Sequence, residues 1–333
     1  MYAGHAIAVV VPAYDEEGFV GEVIETVPDY VDRVYAIDDA SSDGTWAEIQ
    51  RTAERENRRA THVTDGGTTH ASGTRIVPIQ HDENRGVGAA IKTGYGRAKR
   101  DGMDIAAVMA GDGQMDPDRL DAFLDPIVDG RADYTKGNRL LDWDFLDGMS
   151  RFRLVGNVLL TLLTKISSGY WRIADPQNGY TAVRLDVFDD LPLEDCYDEY
   201  GFANDILVRL NAHGKRVADV PMPASYGDEE SSIDYRTFIT TVSMLLLQDF
   251  LWRINVTYLV RDFHPLALCY YAGATAGVFA IVAAGLGLLL GGTAGVAALL
   301  ASVLLACFAG TGLLAAMVLD REHNADLELQ ATD

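Results

Sequence analysis

The sequence predicts an α/β fold: a doubly wound, mostly parallel sheet, followed by amphipathic helices and a hairpin of two membrane-spanning helices. Three observations carry this prediction. Short apolar runs alternate with helical stretches between residues 7 and 128, a polar turn follows each run, and residues 265–319 contain no Asp, Glu, Lys, Arg or His.

The apolar runs at residues 7–11, 34–37, 76–79 and 105–109 lack alternation, as strands buried on both faces do. Helical stretches follow near 20–27, 45–57, 87–99 and 118–128, which makes a βαβ repeat. Residues 62–75 are polar, rich in Gly and Thr and unperiodic, and read as a surface loop. The first apolar run has no basic flank and stops at Pro12, so it reads as a strand and not as a secretory signal.

Two later segments are amphipathic. Residues 149–169 place Leu154, Val158, Leu159, Leu162 and Ile166 on one helical stripe, with Arg151 and Arg153 at its start; residues 235–263 carry Phe238, Val242, Leu246, Phe250 and Ile254. Either stripe fits a core helix, but a membrane anchor follows directly and makes the lipid interface an equal claimant. One helix over residues 265–319 would run ~80 Å at 1.5 Å per residue, against a hydrocarbon core of ~30 Å. The break is Gly291-Gly292-Thr293-Ala294-Gly295, which leaves spans near 266–290 and 296–319.

Arg253 and Arg261 precede the hairpin, Arg321 follows it, and the turn is uncharged, so the positive-inside rule puts both ends in the cytoplasm. The expected organisation is a cytoplasmic head at 1–234 with an interface helix at 147–170. A second interface helix at 235–264, two spans at 265–319 and an acidic cytoplasmic tail at 320–333 follow.

Composition excludes several classes. With 49 Asp+Glu against 27 Lys+Arg, the net charge of −22 over 333 residues leaves no basic stripe for nucleic acid. Three cysteines, two of them in apolar runs, suggest neither a disulfide framework nor a Cys/His zinc site. Lys occurs only at 92, 99, 136, 165 and 215. Acid excess with scarce Lys fits a protein from a salt-rich, halophilic cytoplasm, where hydrated carboxylates keep a screened surface soluble.

In an open parallel sheet, ligands collect outside the carboxyl ends of the strands. The turns there read Pro12-Ala13-Tyr14-Asp15-Glu16-Glu17, Asp38-Asp39-Ala40-Ser41-Ser42-Asp43-Gly44-Thr45, Asn84-Arg85-Gly86-Val87-Gly88 and Gly111-Asp112-Gly113-Gln114. Such acid-rich, glycine-bearing turns suit a nucleotide whose diphosphate is bridged by a divalent metal. Ser42 reads equally as a helix cap and Asp43-Gly44 as a turn. Asp38-Asp39 is harder to explain structurally, because adjacent carboxylates repel unless something compensates. The pair Gly86-x-Gly88 lacks a third glycine and follows the third strand, which argues against a dinucleotide fingerprint.

Together with Gly137-Asn138-Arg139-Leu140, Asp175-Pro176-Gln177-Asn178-Gly179-Tyr180 and Val220-Pro221, these motifs resemble family 2 glycosyltransferases of the GT-A (Rossmann-like) fold. They are most similar to the dolichyl-phosphate mannose synthase and polyprenyl-phosphate glycosyltransferase branch, over residues 6–240. The resemblance implies that Pro12, Tyr14 and Glu16 frame the nucleotide, with Asp38, Asp39, Gly86 and Gly88 completing its site and Asp39 meeting the base. It implies a divalent metal, Mg2+ or Mn2+, on Asp112 and Gln114. Arg139, with Arg151 or Arg153, would hold a lipid phosphate, and Asp175 and Gln177 would line the sugar pocket. Two departures stand out. The family's D-x-D motif appears as Ala110-Gly111-Asp112, and Tyr226-Gly227-Asp228-Glu229-Glu230-Ser231 lacks an expected Arg.

The expected activity is inverting transfer of one hexose from a UDP- or GDP-sugar to dolichyl or polyprenyl phosphate at a membrane. Two alternatives stay open: transfer to a hydroxyl of a lipid-linked sugar with Asp175 as base, and an inactive scaffold of the same fold.

Overall fold

The computed structural model describes residues 1–63, 74–140, 151–223 and 235–330. The chain runs β1 (Ile7–Ala13), α1 (Val20–Thr26), β2 (Arg33–Asp38), α2 (Thr45–Val63), β3 (Ile76–Gln80), α3 (Val87–Arg100), β4 (Ile105–Val108), α4 (Leu120–Val128) and β5 (Tyr134–Asn138). It continues through α5 (Arg151–Ser168), β6 (Thr181–Arg184), α6 (Val187–Asp190), α7 (Phe202–Ala212) and β7 (Val217–Pro221). The last elements are α8 (Tyr235–Asn255), α9 (Pro265–Leu290), α10 (Gly292–His323) and β8 (Glu328–Gln330).

The strands form one sheet in the order β3-β2-β1-β4-β6-β5-β7-β8. Every pairing is parallel except those of β6, which runs antiparallel to β4 and β5. The mostly parallel, doubly wound sheet read from the sequence is therefore the observed fold. Strand β1 shows why it is wound on both faces. Ile7, Val9 and Val11 enter a core closed by α1, α2 and α4, while Ala8 and Val10 enter a second closed by α3 and α7.

Helices α9 and α10 contain 26 and 32 residues, long and apolar enough to cross a membrane. Only 22% and 11% of their most apolar windows are buried, so they are not core helices of the sheet domain. The turn is tighter than the sequence indicated: Gly291 (φ 62°) and Gly292 (φ 55°) take left-handed backbone, and α10 starts at once.

Helices α5 and α8 pack together through Leu160, Val242 and Leu246. Val158, Leu159 and Leu162 of α5, with Met244, Leu247 and Leu251 of α8, remain exposed. The stripe expected on α8 is thus a two-sided apolar surface, one side on α5 and one open. The segment after α10 is not a loose tail, for it returns to the sheet and pairs as β8 parallel to β7, Asp219 opposite Gln330.

A candidate active site at the sheet's switch point

The strand order turns back between β1 and β4, which leaves a crevice at their carboxyl ends. Residues beyond β4 keep its pairing with β1. Met109 N–H donates to Val10 O (3.0 Å) and Gly111 N–H to Pro12 O (3.0 Å), so Asp112 is set beside Pro12. Tyr14, which follows, is 46% exposed and offers a ring face.

The turns after β1 and β2 are laced together. Ser42 N–H donates to Asp15 Oδ1 (2.7 Å), Gly44 N–H to Glu17 Oε2 (3.0 Å), and Glu16 N–H to Thr45 Oγ1 (2.7 Å). Asp43 accepts the Thr45 N–H (2.9 Å), the turn role anticipated for it. Asp15, Ala40 and Asp175 all hold positive φ (56°, 60° and 51°). Asp tolerates left-handed backbone through local hydrogen bonds of its short side chain, so Ala40 carries the strain among these three.

Adjacent Asp38 and Asp39 avoid mutual repulsion by having separate partners. Asp38, fully buried, accepts from Gln80 Nε2 (2.9 Å). Asp39 accepts the N–H groups of Arg85 (3.0 Å) and Gly86 (2.8 Å) and meets His81 Nδ1 (2.6 Å). Asp39 thus clamps the β3–α3 turn, a role the sequence did not reveal.

The glycines of that turn are also accounted for within the chain. A Cβ on Gly88 would lie 2.5 Å from Tyr197 O, and one on Gly86, at φ +91°, 2.7 Å from Asp198 O. The backbone of residues 197–199 makes this close approach and is held further by Ala89 N–H donating to Asp198 O (2.8 Å). Gly86 and Gly88 therefore have a packing role within the chain.

Asp112 accepts the Gln114 N–H at Oδ1 (3.0 Å). Burial pushes its carboxyl above the ordinary carboxylate range, with backbone hydrogen bonds opposing, and no cationic side chain contributes. Among the described residues, no cluster of three or more His, Cys, Asp or Glu is arranged to hold a metal. Asp112 and the Gln114 amide could supply one carboxylate and one amide oxygen to a hard divalent cation.

On the far side of the crevice, Arg139 follows β5 and Asp175 precedes β6. Arg139 Nε and Nη2 donate to Asp175 Oδ2 (2.7 Å) and Oδ1 (2.8 Å), and Arg139 N–H adds a third bond (3.0 Å). Burial alone would raise the Asp175 carboxyl, but the Arg139 hydrogen bonds and charge, with Lys136, hold it below its usual value. Behind this fork, buried Lys136 and Asp219 pair at 3.2 Å, and Asp219 also accepts from Asn138 Nδ2 (2.5 Å) and Ala174 N–H (2.9 Å). Gln177 Nε2 donates to Asn204 Oδ1 (2.5 Å), and Asn204 Nδ2 donates to Thr164 Oγ1 of α5 (2.7 Å).

Lys136, Asn204 and Asp219 were not singled out in the sequence; a charged residue inside a strand was the available signal for Lys136 and Asp219. Arg151 and Arg153 start α5, but their side chains, like residues 226–231, lie outside the described residues.

Comparison with known proteins decides the family. The profile of glycosyl transferase family 2 matches residues 8–191. The chain belongs to that family. It is 26% identical over 225 residues to the UDP-N-acetylglucosamine–dolichyl-phosphate N-acetylglucosaminyltransferase of Methanococcus voltae, covering 67% of this chain and 87% of that one. It is 27% identical over 225 residues to the polyprenol monophosphomannose synthase of Mycolicibacterium smegmatis, covering 64% and 75%. Among solved structures, glucosyl-3-phosphoglycerate synthase of Mycobacterium tuberculosis, in complex with Mn2+, UDP and glucosyl-3-phosphoglycerate, aligns with TM-score 0.53 at 18% identity. That alignment covers 75% of this chain and 80% of that one, and it supports the GT-A fold of this family 2 member.

Proposed function

We propose that this glycosyltransferase moves one sugar from a nucleotide sugar to the phosphate of a dolichyl or polyprenyl lipid, with inversion, at a membrane surface. The observation that carries the reading is the Arg139–Asp175 fork. A hydroxyl acceptor needs a base, and Asp175, the candidate for it, has both oxygens bound by Arg139 and a carboxyl held below its ordinary pKa. A phosphate monoester, with its second pKa near ~6, is already an anionic nucleophile at neutral pH. It asks for positioning and charge compensation, and an arginine oriented by a buried carboxylate provides both.

The relatives in M. voltae and M. smegmatis are named for transfer to dolichyl phosphate and for polyprenol monophosphomannose synthesis, which supports this acceptor class. The apolar faces of α5 and α8 and the two long apolar helices would bring the crevice to the bilayer, where such a lipid lies. The head and both ends of the hairpin would then be cytoplasmic.

Pro12, Tyr14, Glu16 and Asp38 would frame the nucleotide, Asp39 would shape the turn beside it, and Gln177 would meet the sugar. Asp112 and Gln114 would hold a divalent metal. Such an ion neutralises the charge that develops on a leaving nucleoside diphosphate. Arg139 would hold the acceptor phosphate in line with the anomeric carbon.

The test incubates the purified protein in lipid vesicles containing polyprenyl phosphate with a panel of labelled UDP- and GDP-sugars, with and without EDTA. Label should enter the lipid fraction with at least one donor and be abolished by EDTA. Failure of every donor to label lipid would favour an inactive scaffold.

A further inference from the structure

The membrane hairpin meets the catalytic head through a buried polar joint rather than a flexible linker. Arg253 of α8 and Asp320 near the end of α10 are both fully buried. Arg253 Nη1 and Nη2 donate to Asp320 Oδ1 and Oδ2, each at 2.9 Å. Arg253 Nε donates to Ser167 O (2.7 Å) and Nη2 to Ile166 O (3.2 Å), carbonyls of the last turn of α5 that have no helical partner. Tyr258 Oη donates to Asp320 Oδ1 (2.7 Å), and Asn324 Nδ2 to the same oxygen (3.0 Å). Asn211, at the end of α7, closes the ring by donating from Nδ2 to Asn324 Oδ1 (2.9 Å).

Gly169 is fitted to this joint. Its φ is +79°, and a Cβ there would lie 2.5 Å from Arg253 Nη1. The helix α5 must therefore end in a residue without a side chain for the guanidinium to reach its carbonyls. Six residues beyond Gly169 lies Asp175, and the segment after Asn324 becomes β8, which pairs with the strand that carries Asp219. Both chain paths out of the joint lead to the Arg139–Asp175 side of the crevice.

From this geometry we propose that Arg253 and Asp320 are positioning residues for transfer. They fix the height and angle of the membrane hairpin against the sheet, and so the depth at which a membrane-held acceptor phosphate meets Arg139. The inference rests on the lipid-phosphate reading of the site, but the joint itself has a readout that does not.

The test uses the full chain in lipid nanodiscs, comparing wild type with Asp320→Asn and with the paired, apolar R253M/D320L, which leaves no buried charge unpartnered. Nitroxides are placed on exposed Cys307 and on Arg100→Cys, in a Cys269→Ser background, with Cys196 buried and unlabelled. Wild type should give one narrow head-to-hairpin distance, and R253M/D320L a broad distribution while the chain keeps a single cooperative melting transition. With the donor that supports transfer, kcat/KM for a long-chain polyprenyl phosphate in the bilayer should fall at least tenfold in R253M/D320L. Transfer to a short, water-soluble prenyl phosphate should stay within twofold. An unaltered narrow distance would overturn the joint, whatever the enzyme's acceptor. A parallel loss with both acceptors would reduce the pair to a structural role and overturn its positioning function. Absence of transfer to any lipid phosphate by wild type, with the distance result as expected, would sink the acceptor reading and the positioning function, and leave the joint standing.

Discussion

Replacing Arg139 by Ala separates acceptor capture from everything else the crevice does. The substitution removes the two side-chain bonds to Asp175, at 2.7 and 2.8 Å, and leaves the Arg139 N–H bond at 3.0 Å. Asp175 is 1% exposed, so its carboxylate would stay buried with one strong partner fewer. Hydrogen bonds to charged groups contribute roughly 1.5–3 kcal/mol each, and breaking a buried pair costs about 3–5 kcal/mol. Because Arg139 is 25% exposed and Lys136 remains nearby, about 3 kcal/mol of stability is the expected loss.

The kinetic expectation is sharper than the stability one. Steady-state assays varying each substrate in turn should show KM for polyprenyl phosphate raised tenfold or more, about 1.4 kcal/mol, and KM for the nucleotide sugar changed less than about twofold. Arg139→Lys should recover only part of the loss, since a point charge replaces a planar fork. Asp175→Asn should lower kcat through lost orientation and leave the basic limb of the pH–rate profile in place. An unchanged acceptor KM in Arg139→Ala, or a basic limb that vanishes with Asp175→Asn, would refute the reasoning.

Other predictions rest on separate features. Asp112→Asn should reduce the transfer rate about a hundredfold or more, matching the effect of EDTA on wild type, and full activity in both would refute a metal at Asp112. Asp249 of α8 is buried beside Asp205 and Arg209, its Oδ2 without a partner, and burial and the Asp205 charge raise its carboxyl to about 7. A raised carboxyl binds its proton in the folded state, so the stability it confers is present at acid pH and lost as pH rises through about 7. Asp249→Asn should therefore be more stable than wild type at pH 8, with little difference at pH 4; equal pH dependence of both proteins in thermal melts would contradict this. Because β8 returns to the sheet, a cysteine at Thr293 should label from the face opposite one at Asp29, and labelling of both from one side would exclude the hairpin.

The first four strands were legible because each is a short apolar run, buried on both faces in β1, β2 and β4 and partly buried in the edge strand β3. Strands β5 to β8 were not. Tyr134–Asn138 carries Lys136 and Asn138 inward, where the distant Asp219 pairs with both and the Gly137 and Ala174 carbonyls accept further bonds from Lys136, and no local pattern announces such partners. The hairpin was visible from its missing charges, but Asp320, read as the start of an acidic cytoplasmic tail, is fully buried against Arg253, 67 residues earlier. At the site, the motifs pointed to the turns beyond β1 to β4, but not to what those turns do for the chain itself. Asp39, Gly86 and Gly88 help to hold residues 84–88 and 197–199 together. Glycine looks the same in sequence whether the approaching backbone belongs to a ligand or to the chain itself.

The acceptor is tested most directly by the chemistry of the product. After transfer from a labelled nucleotide sugar in vesicles, the labelled lipid is extracted and exposed to mild acid. A sugar joined to a lipid phosphate should be released under conditions that leave an ordinary glycoside intact. Transfer to polyprenyl phosphate predicts release of the free sugar together with recovery of the lipid phosphate. Label that stays on the lipid through that treatment would mean a hydroxyl acceptor and contradict the function proposed for the Arg139–Asp175 fork.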